Sequence, residues 1–135
     1  MGRALIQTVN TSPQVVGDNG IISPGSALRR YGCNCRLNGN AIEIEGMGYY
    51  DVSAIVTVQA AAAGVVTIAL YENGMPVSGA TATVTAAAID DFVVLPIVTT
   101  LRQYCNCEGA SAITAVLTEG GGSTVTNISL RIAKE

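Results

Sequence analysis

The residues best suited to chemistry are four cysteines in two copies of the tripeptide Cys-Asn-Cys. Cys33 and Cys35 belong to the first copy, and Cys105 and Cys107 to the second. Thiolates bind metals or pair as disulfides, and on a strand both cysteines of a copy face the same side. A single intervening residue is fewer than the two to four of usual zinc sites. The pattern therefore favours two disulfides, with a metal site and free or inter-subunit thiols as the alternatives.

The other polar residues do not indicate catalysis. The chain contains no histidine, the commonest general base. Asp90 and Asp91 are adjacent, so they would point to opposite faces of a strand, and a solvated turn is the simpler interpretation. Glu43 and Glu45 share one face, which we interpret as a solvent side, with a cation or an arginine partner as the alternative. We expect a protein that is not an enzyme and has no cofactor.

Composition limits the partners. The net charge is −3 and no basic run exceeds two residues, so nucleic acid is not an expected partner. No apolar run has the length of a membrane span, and the first fourteen residues lack the features of a secretory signal peptide. Charged residues make up only 13% of the chain, about half the usual share for a globular domain. Much of the surface is therefore expected to be small and polar or covered by other chains.

Hydrophobic periodicity predicts an all-β protein. Residues 46–59 alternate strictly between apolar and polar positions, which predicts a long strand with one face on a core. The segment Phe92 to Leu101 is apolar on both faces, so both faces should be covered, and Pro96 places it at a sheet edge or bulge. Since one face already meets the core, we expect another subunit on the second face. The residues assigned to this interface are Tyr50, Phe92, Val94 and Val98.

The remaining segments are short strands separated by turns. Asn38-Gly39 and Asn73-Gly74 are hairpin signals. Residues 1–30 mix apolar pairs with turn residues, which predicts an N-terminal arm lying on an edge or a neighbour, and residues 31–135 would form the folded domain. The spacing of strands and turns is typical of an antiparallel β-sandwich or jelly roll.

The strand that follows Gly46 also carries a family resemblance. Gly48-x-Tyr50-x-Val52, entered from Ile42, resembles the central strand motif of the C1q/TNF-like jelly rolls. The later order of an Asn73-Gly74 turn, a small-residue strand, a Leu95-Pro96 strand and Ile128-x-Leu130-x-Ile132 is similar to C-terminal domains of bacterial collagen-like spore-surface glycoproteins. The resemblance implies a ten-strand jelly roll assembled as a tight trimer without enzymatic activity. In such a jelly roll the hairpin end with Cys33 can meet the loop with Cys105 and Cys107.

We hypothesise from these features a structural virion protein, a trimeric capsid decoration or head-fibre protein assembled in the host cytoplasm. The arm would then dock on a capsid or other shell protein. The alternative is a module on a bacterial cell or spore surface that binds a sugar or a receptor. Tyr31 and Tyr104, beside the two cysteine motifs, are the aromatic candidates for such a binding platform.

Overall fold

Two antiparallel sheets packed face to face make up the protein. The computed structural model describes residues 4–103 and 110–134, and it contains no helix of the length and apolarity needed to span a membrane in those ranges. The twelve strands of these ranges are β1 (Ala4–Asn10), β2 (Gln14–Val16), β3 (Gly20–Ile22), β4 (Ser26–Tyr31), β5 (Cys35–Asn38), β6 (Ala41–Ile44), β7 (Gly48–Gln59), β8 (Gly64–Glu72), β9 (Met75–Ala86), β10 (Phe92–Gln103), β11 (Ser111–Glu119) and β12 (Ser123–Lys134). The predicted antiparallel β-sandwich is confirmed.

The strand order follows jelly-roll topology. The first sheet runs β10-β7-β12-β1-β4, and β2 also pairs with β12. The second sheet runs β5-β6-β11-β8-β9, and β3 also pairs with β11. We name the two ends of the sandwich after the first and last residues of β7, the Gly48 end and the Gln59 end.

Strand β7 shows why the chain folds this way. Its side chains alternate between the core and the outer face along all twelve residues, as the sequence predicts. The core positions are fully or almost fully buried, and they are Tyr50, Val52, Ala54, Val56 and Val58. The facing sheet contributes Ile42, Ile68, Leu70, Ile113 and Leu117 to the same cluster. Burial of such side chains contributes about 1.5–3 kcal/mol each for the larger aliphatic ones, which is the main stabilising term of the sandwich.

Both long edge strands contain a proline. Strand β10 forms one edge of the first sheet and contains Pro96, so the predicted edge position of that residue is confirmed. Strand β9 forms an edge of the second sheet and contains Pro76. A proline has no N–H to donate to a neighbouring strand, and an edge strand tolerates this loss because one of its sides has no neighbour in the sheet.

The predicted Asn-Gly turns join hairpins. Asn73 and Gly74 both have positive φ, 52° and 83°, and connect β8 to β9. This is the backbone twist that two-residue hairpins favour, and asparagine and glycine adopt it at low cost. In the other hairpin Asn38 pairs with Ala41, so the tip consists of Gly39 and Asn40, one residue beyond the predicted position.

The N-terminal residues are built into the sandwich rather than extended as an arm. Strand β1 lies between β12 and β4, and its Ala4 and Ile6 are fully buried in the core. Strands β2 and β3 pair with β12 and β11. The boundary expected at residue 30 therefore does not separate an arm from a domain, because residues 4–31 supply strands to both sheets.

Removal of residues 1–22 is expected to prevent folding. The truncation deletes β1, β2 and β3, exposes the paired edges of β12 and β11, and removes the buried side chains of Ala4, Ile6 and Ile22. Loss of two large aliphatic core side chains alone costs several kcal/mol, a large share of a typical stability of about 5–15 kcal/mol. Circular dichroism and thermal unfolding of the truncated and full chains measure this. A cooperative transition at the full-chain temperature would show that these strands are dispensable.

Candidate functional site

The first Cys-Asn-Cys motif is a turn between β4 and β5. Asn34 fixes it to the loop before β7, because its side-chain Nδ2 donates to the carbonyl of Glu45 at 2.7 Å and the Glu45 N–H donates to the carbonyl of Asn34 at 2.8 Å. The two thiols end in different surroundings: Cys33 is exposed and Cys35 is buried. The motif is not a regular strand here. Contrary to the expectation, its two cysteines therefore do not share one face.

Burial controls the chemistry of Cys35. Burial raises the pKa of its thiol to about 11, against an opposing effect of the positive charges of Arg30 and Lys134. The neighbouring Tyr50 hydroxyl donates to the carbonyls of Glu45 and Gly46, both at 2.8 Å. Burial likewise raises the pKa of Tyr50, to about 12. Cys35 is therefore a neutral core side chain at ordinary pH and a poor nucleophile in this state.

The second motif, with Cys105 and Cys107, and Tyr104 beside it lie outside the described residues. The residues on either side of that segment are described. Gln103 donates from Nε2 to the carbonyl of Ile44 at 3.1 Å, and Ser111 pairs with Ile44. Cys35 is the other strand partner of Ile44. Gln103 and Ser111, the described residues nearest the second motif on either side, thus lie at the Gly48 end close to Cys35. The disulfide hypothesis remains a prediction.

No metal centre is formed by the described residues, among which no three cysteine or carboxylate side chains cluster. The glutamates of β6 are instead paired with an arginine. Arg36 on β5 lies 2.7 Å from Glu43 and 3.5 Å from Glu45, which is the arginine partner considered as an alternative above. Asn38 also donates to Glu43, and these hydrogen bonds lower the pKa of the Glu43 carboxyl. Asp91 accepts a hydrogen bond from the N–H of Ala88, as expected for a turn.

A small cavity opens at the Gln59 end. It has a volume of about 120 Å³, and its lining consists of Ala61, Ala62, Ala63, Gly64, Val65, Gly120, Gly121 and Ser123. The hydroxyl of Ser123 already donates to the carbonyl of Gly120 and accepts from the N–H of Ala61. The cavity therefore offers no charged or unpaired side-chain group to a ligand, and we assign it no chemistry.

The residues assigned to a subunit interface divide into two sets. Phe92, Val94 and Val98 point outward from β10 with 64%, 53% and 76% of their surfaces exposed. Tyr50 has no exposed surface, because it lies on the core face of β7. It supports the fold from inside the monomer and offers nothing to a neighbouring chain.

The outward residues of β10 belong to a larger surface that the sequence pattern did not reveal. Pro96 lies between Val94 and Val98 on the same face, and its strand partner on β7 is Ile55, which is half exposed. We name these five residues the apolar patch: Ile55, Phe92, Val94, Pro96 and Val98. Ile55 could have been found from its outward parity on β7, where it is the one large aliphatic residue among polar ones. A continuous apolar surface of this kind marks an interaction site.

Accessibility and ionisation should make the two described thiols react at different rates. In reduced, folded protein at pH 8, iodoacetamide is expected to modify Cys33 quickly and Cys35 slowly, because Cys35 is buried and its pKa of about 11 leaves little thiolate. Peptide mapping after timed quenching measures both rates. Guanidinium-unfolded protein is the control, in which the two rates should converge. Equal rates in the folded protein would contradict the buried position of Cys35.

The state of all four cysteines is read from the mass of unreduced, denatured protein. Two disulfides remove four hydrogens, a loss of about 4 Da that reductant restores. Four alkylated thiols in protein from an oxidising source would contradict the disulfide hypothesis.

Comparison with known proteins identifies the fold but no close relative. No family model matches the sequence, and a search of curated protein sequences finds no significant match. Among solved structures, murine APRIL is similar with a TM-score of 0.75 at 10% identity, covering 99% of this chain and 100% of APRIL. The globular domain of zebrafish complement 1qA gives 0.66 at 8% identity, covering 96% and 94%. The PRD1 vertex protein P5 gives 0.59 at 10% identity, covering 97% and 96%.

These similarities extend over nearly the whole chain, and at this identity they concern the fold. The order of strands in the two sheets and the end-to-end coverage lead to the same conclusion. The protein has the jelly-roll fold of the C1q/TNF-like type.

Proposed function

We propose that this protein is a structural module that assembles as a homotrimer through the apolar patch and acts without catalysis. The observation that carries the proposal is the exposure of five apolar side chains on the outer face of β10 and β7. Leaving such side chains in water forfeits roughly 25 cal/mol for each Å² of apolar surface that association would bury. Val98 is the most exposed large hydrophobic residue of the patch, at 76%.

The symmetry of an assembly decides how the patch is used. In a cyclic trimer each contact joins the patch of one chain to a different surface of the next chain, and three such contacts close the ring without an additional partner. Strand β10 suits this role because it lies at the edge of the first sheet. A neighbouring chain can pack against its outward side chains there without disrupting strand pairing. Pro96 also limits the pairing of that edge with further strands, because it has no N–H for a ladder hydrogen bond.

The particle that we propose for the trimer is a virion, in which it would serve as a capsid decoration or head-fibre protein. The support is the architectural role named for one protein of the same fold, the PRD1 vertex protein. The low charged fraction supports a surface largely covered by other chains. Docking to the shell would use the assembled sandwich, since residues 4–31 are committed to the two sheets.

The alternative is a ligand-binding module on a bacterial cell or spore surface. The feature that favours it is Tyr31, which lies exposed beside the first cysteine motif at the Gly48 end. Exposed tyrosines provide the apolar face and hydroxyl that sugar binding uses. This alternative predicts that the isolated trimer binds sugars without any shell protein.

Light scattering measures the proposed assembly. The full chain is expected to elute at three times its 13.8 kDa mass. Val98→Asp and Val94→Asp should yield folded monomers, because both positions are exposed in the isolated chain and a buried unpaired carboxylate in the interface costs several kcal/mol. Thr81→Asp, at an exposed position on β9, is the matched control and should remain trimeric. A monomeric full chain at micromolar concentration would refute the proposed interface.

The virion role has a separate test. Particles purified by density gradient from cells that produce the protein are probed with an antibody against it. We expect the protein to sediment with the capsids and Val98→Asp to be lost from them. Sedimentation with the cell or spore surface instead would favour the ligand-binding alternative.

A further inference from the structure

The sequence contains three asparagine–glycine pairs, each of which is a candidate for a spontaneous covalent change. They are Asn19-Gly20, Asn38-Gly39 and Asn73-Gly74. In such a pair the backbone nitrogen of the glycine can attack the side-chain carbonyl carbon of the asparagine, because glycine has no side chain to hinder the approach. The attack requires a side chain that is free to turn and a peptide nitrogen that is free to meet it. The surroundings of each pair therefore decide which one reacts.

The side chain of Asn73 is fixed to the neighbouring strand. Its Oδ1 accepts a hydrogen bond from the N–H of Ala112 at 2.9 Å, and its Nδ2 donates to the hydroxyl of Ser111 at 3.4 Å. The Asn73 N–H also donates to the carbonyl of Ala112 at 2.8 Å. These bonds hold the amide group against β11, so attack by the Gly74 nitrogen requires several hydrogen bonds to break first.

In the Asn19-Gly20 pair the attacking nitrogen is held instead. The N–H of Gly20 donates to the carbonyl of Gly17 at 2.9 Å, and the N–H of Asn19 donates to the carbonyl of Leu117 at 2.7 Å. A Cβ on Gly20 would lie 2.8 Å from Cγ1 of Val16, so the backbone of this turn is closely packed. Movement of the Gly20 nitrogen would disrupt the turn that leads into β3.

Asn38 lacks both kinds of restraint among the described residues. It is the last residue of β5 and is exposed, and its Nδ2 donates to Oε2 of Glu43 at 3.0 Å in a single exposed hydrogen bond. Gly39 begins the two-residue loop that follows, so its N–H lies outside the ladder between β5 and β6. No atom of the described chain outside the adjacent residues lies within 4 Å of a Cβ placed on Gly39. The amide carbon and the nitrogen can therefore meet without disrupting the sheet.

We propose that Asn38 converts spontaneously to aspartate and isoaspartate through a cyclic imide. The Gly39 nitrogen gives up its proton to a base in solution and bonds to Cγ of Asn38, while the Cγ–Nδ2 bond breaks and the nitrogen leaves as ammonia. Water then adds to one of the two imide carbonyls and opens the ring, which yields either product without an oxidant or reductant. The net change replaces NH₂ by OH, a gain of about 1 Da.

The products change the hydrogen bonds and charges of the β5–β6 hairpin. Asn38 donates to Glu43, which is paired with Arg36, whereas a carboxylate at this position has no hydrogen to donate and places a second negative charge beside Glu43. Isoaspartate also adds one atom to the main chain at the residue that pairs with Ala41. Both products therefore weaken the hairpin with time. The inference does not rest on the proposed function, since Asn38 lies on the second sheet and the apolar patch on the first.

Mass spectrometry of the ageing full chain tests the proposal. Folded protein is kept at pH 8, and peptides that cover the three pairs are analysed at intervals for the mass gain. We expect conversion at Asn38 to be at least about tenfold faster than at Asn19 or Asn73, where hydrogen bonds must break first. Guanidinium-unfolded protein is the control, in which the three rates should converge. Equal rates in the folded protein, or a faster reaction at Asn19 or Asn73, would overturn the proposal.

Chromatography of the peptides and two variants test the imide route. Aspartate and isoaspartate peptides should both form, and aspartate as the sole product would indicate direct hydrolysis and refute the cyclic imide. Asn38→Gln keeps the amide but requires a larger ring, so the mass gain of this peptide should disappear. Gly39→Ala adds a Cβ that meets no neighbouring side chain and should slow the conversion severalfold. Unchanged conversion in either variant would also refute the route.

Asn38→Asp reproduces one product directly and measures its effect on the hairpin. It should lower the thermal unfolding temperature by about 1–3 °C, because a like charge lies beside Glu43. The same substitution made together with Glu43→Gln should cost less when it is compared with Glu43→Gln alone. An unfolding temperature equal to that of the unsubstituted chain would contradict the weakening of the hairpin.

Discussion

The pairing of β7 with β10 on one side and with β12 on the other is the constraint on which the rest of the structure depends. It fixes the register of three twelve-residue strands, and a slip of one residue would turn every core side chain of β7 to the solvent. The same register places the outward residues. It sets Pro96 against Ile55, and through β12 and β1 it aligns Arg131 with Gln7 and Arg29. The apolar patch thus arises from the same alignment that buries the core face of β7.

The long strands could be predicted from sequence because their information is local. Strict alternation specifies β7, and the Asn73-Gly74 turn fixes the boundary between β8 and β9. The strands within residues 4–31 were harder to predict from sequence. Strands β2 and β3 are only three residues long, and they are stabilised by pairing with β12 and β11. Nothing within so short a segment distinguishes a strand of the sheet from an arm lying on its edge.

The candidate sites likewise divide into residues whose orientation the local sequence predicts and residues whose proximity only strand pairing reveals. Phe92, Val94 and Val98 were predictable as outward-facing because their parity opposes that of the buried Val93 and Leu95. Tyr50 shares the parity of the core residues of β7, and that parity, rather than its aromatic character, determines its burial. Gln7, Arg29 and Arg131 are far apart in the sequence, and only the pairing of three strands reveals that they form one row.

The pairing of β1 with β12 also bears on how the chain folds as it is synthesised. Gln7 and Ser129 form a hydrogen bond across 122 positions of sequence. On the ribosome, β1 is made more than a hundred residues before β12, the strand that pairs with one of its edges. Until β12 is synthesised, the edges of β1 and β7 that pair with it stay open. Pairing over such sequence distances is slow, and open strand edges promote aggregation. Completion of the sandwich therefore requires the synthesis of β12, and chaperones that shield strand edges should raise its yield.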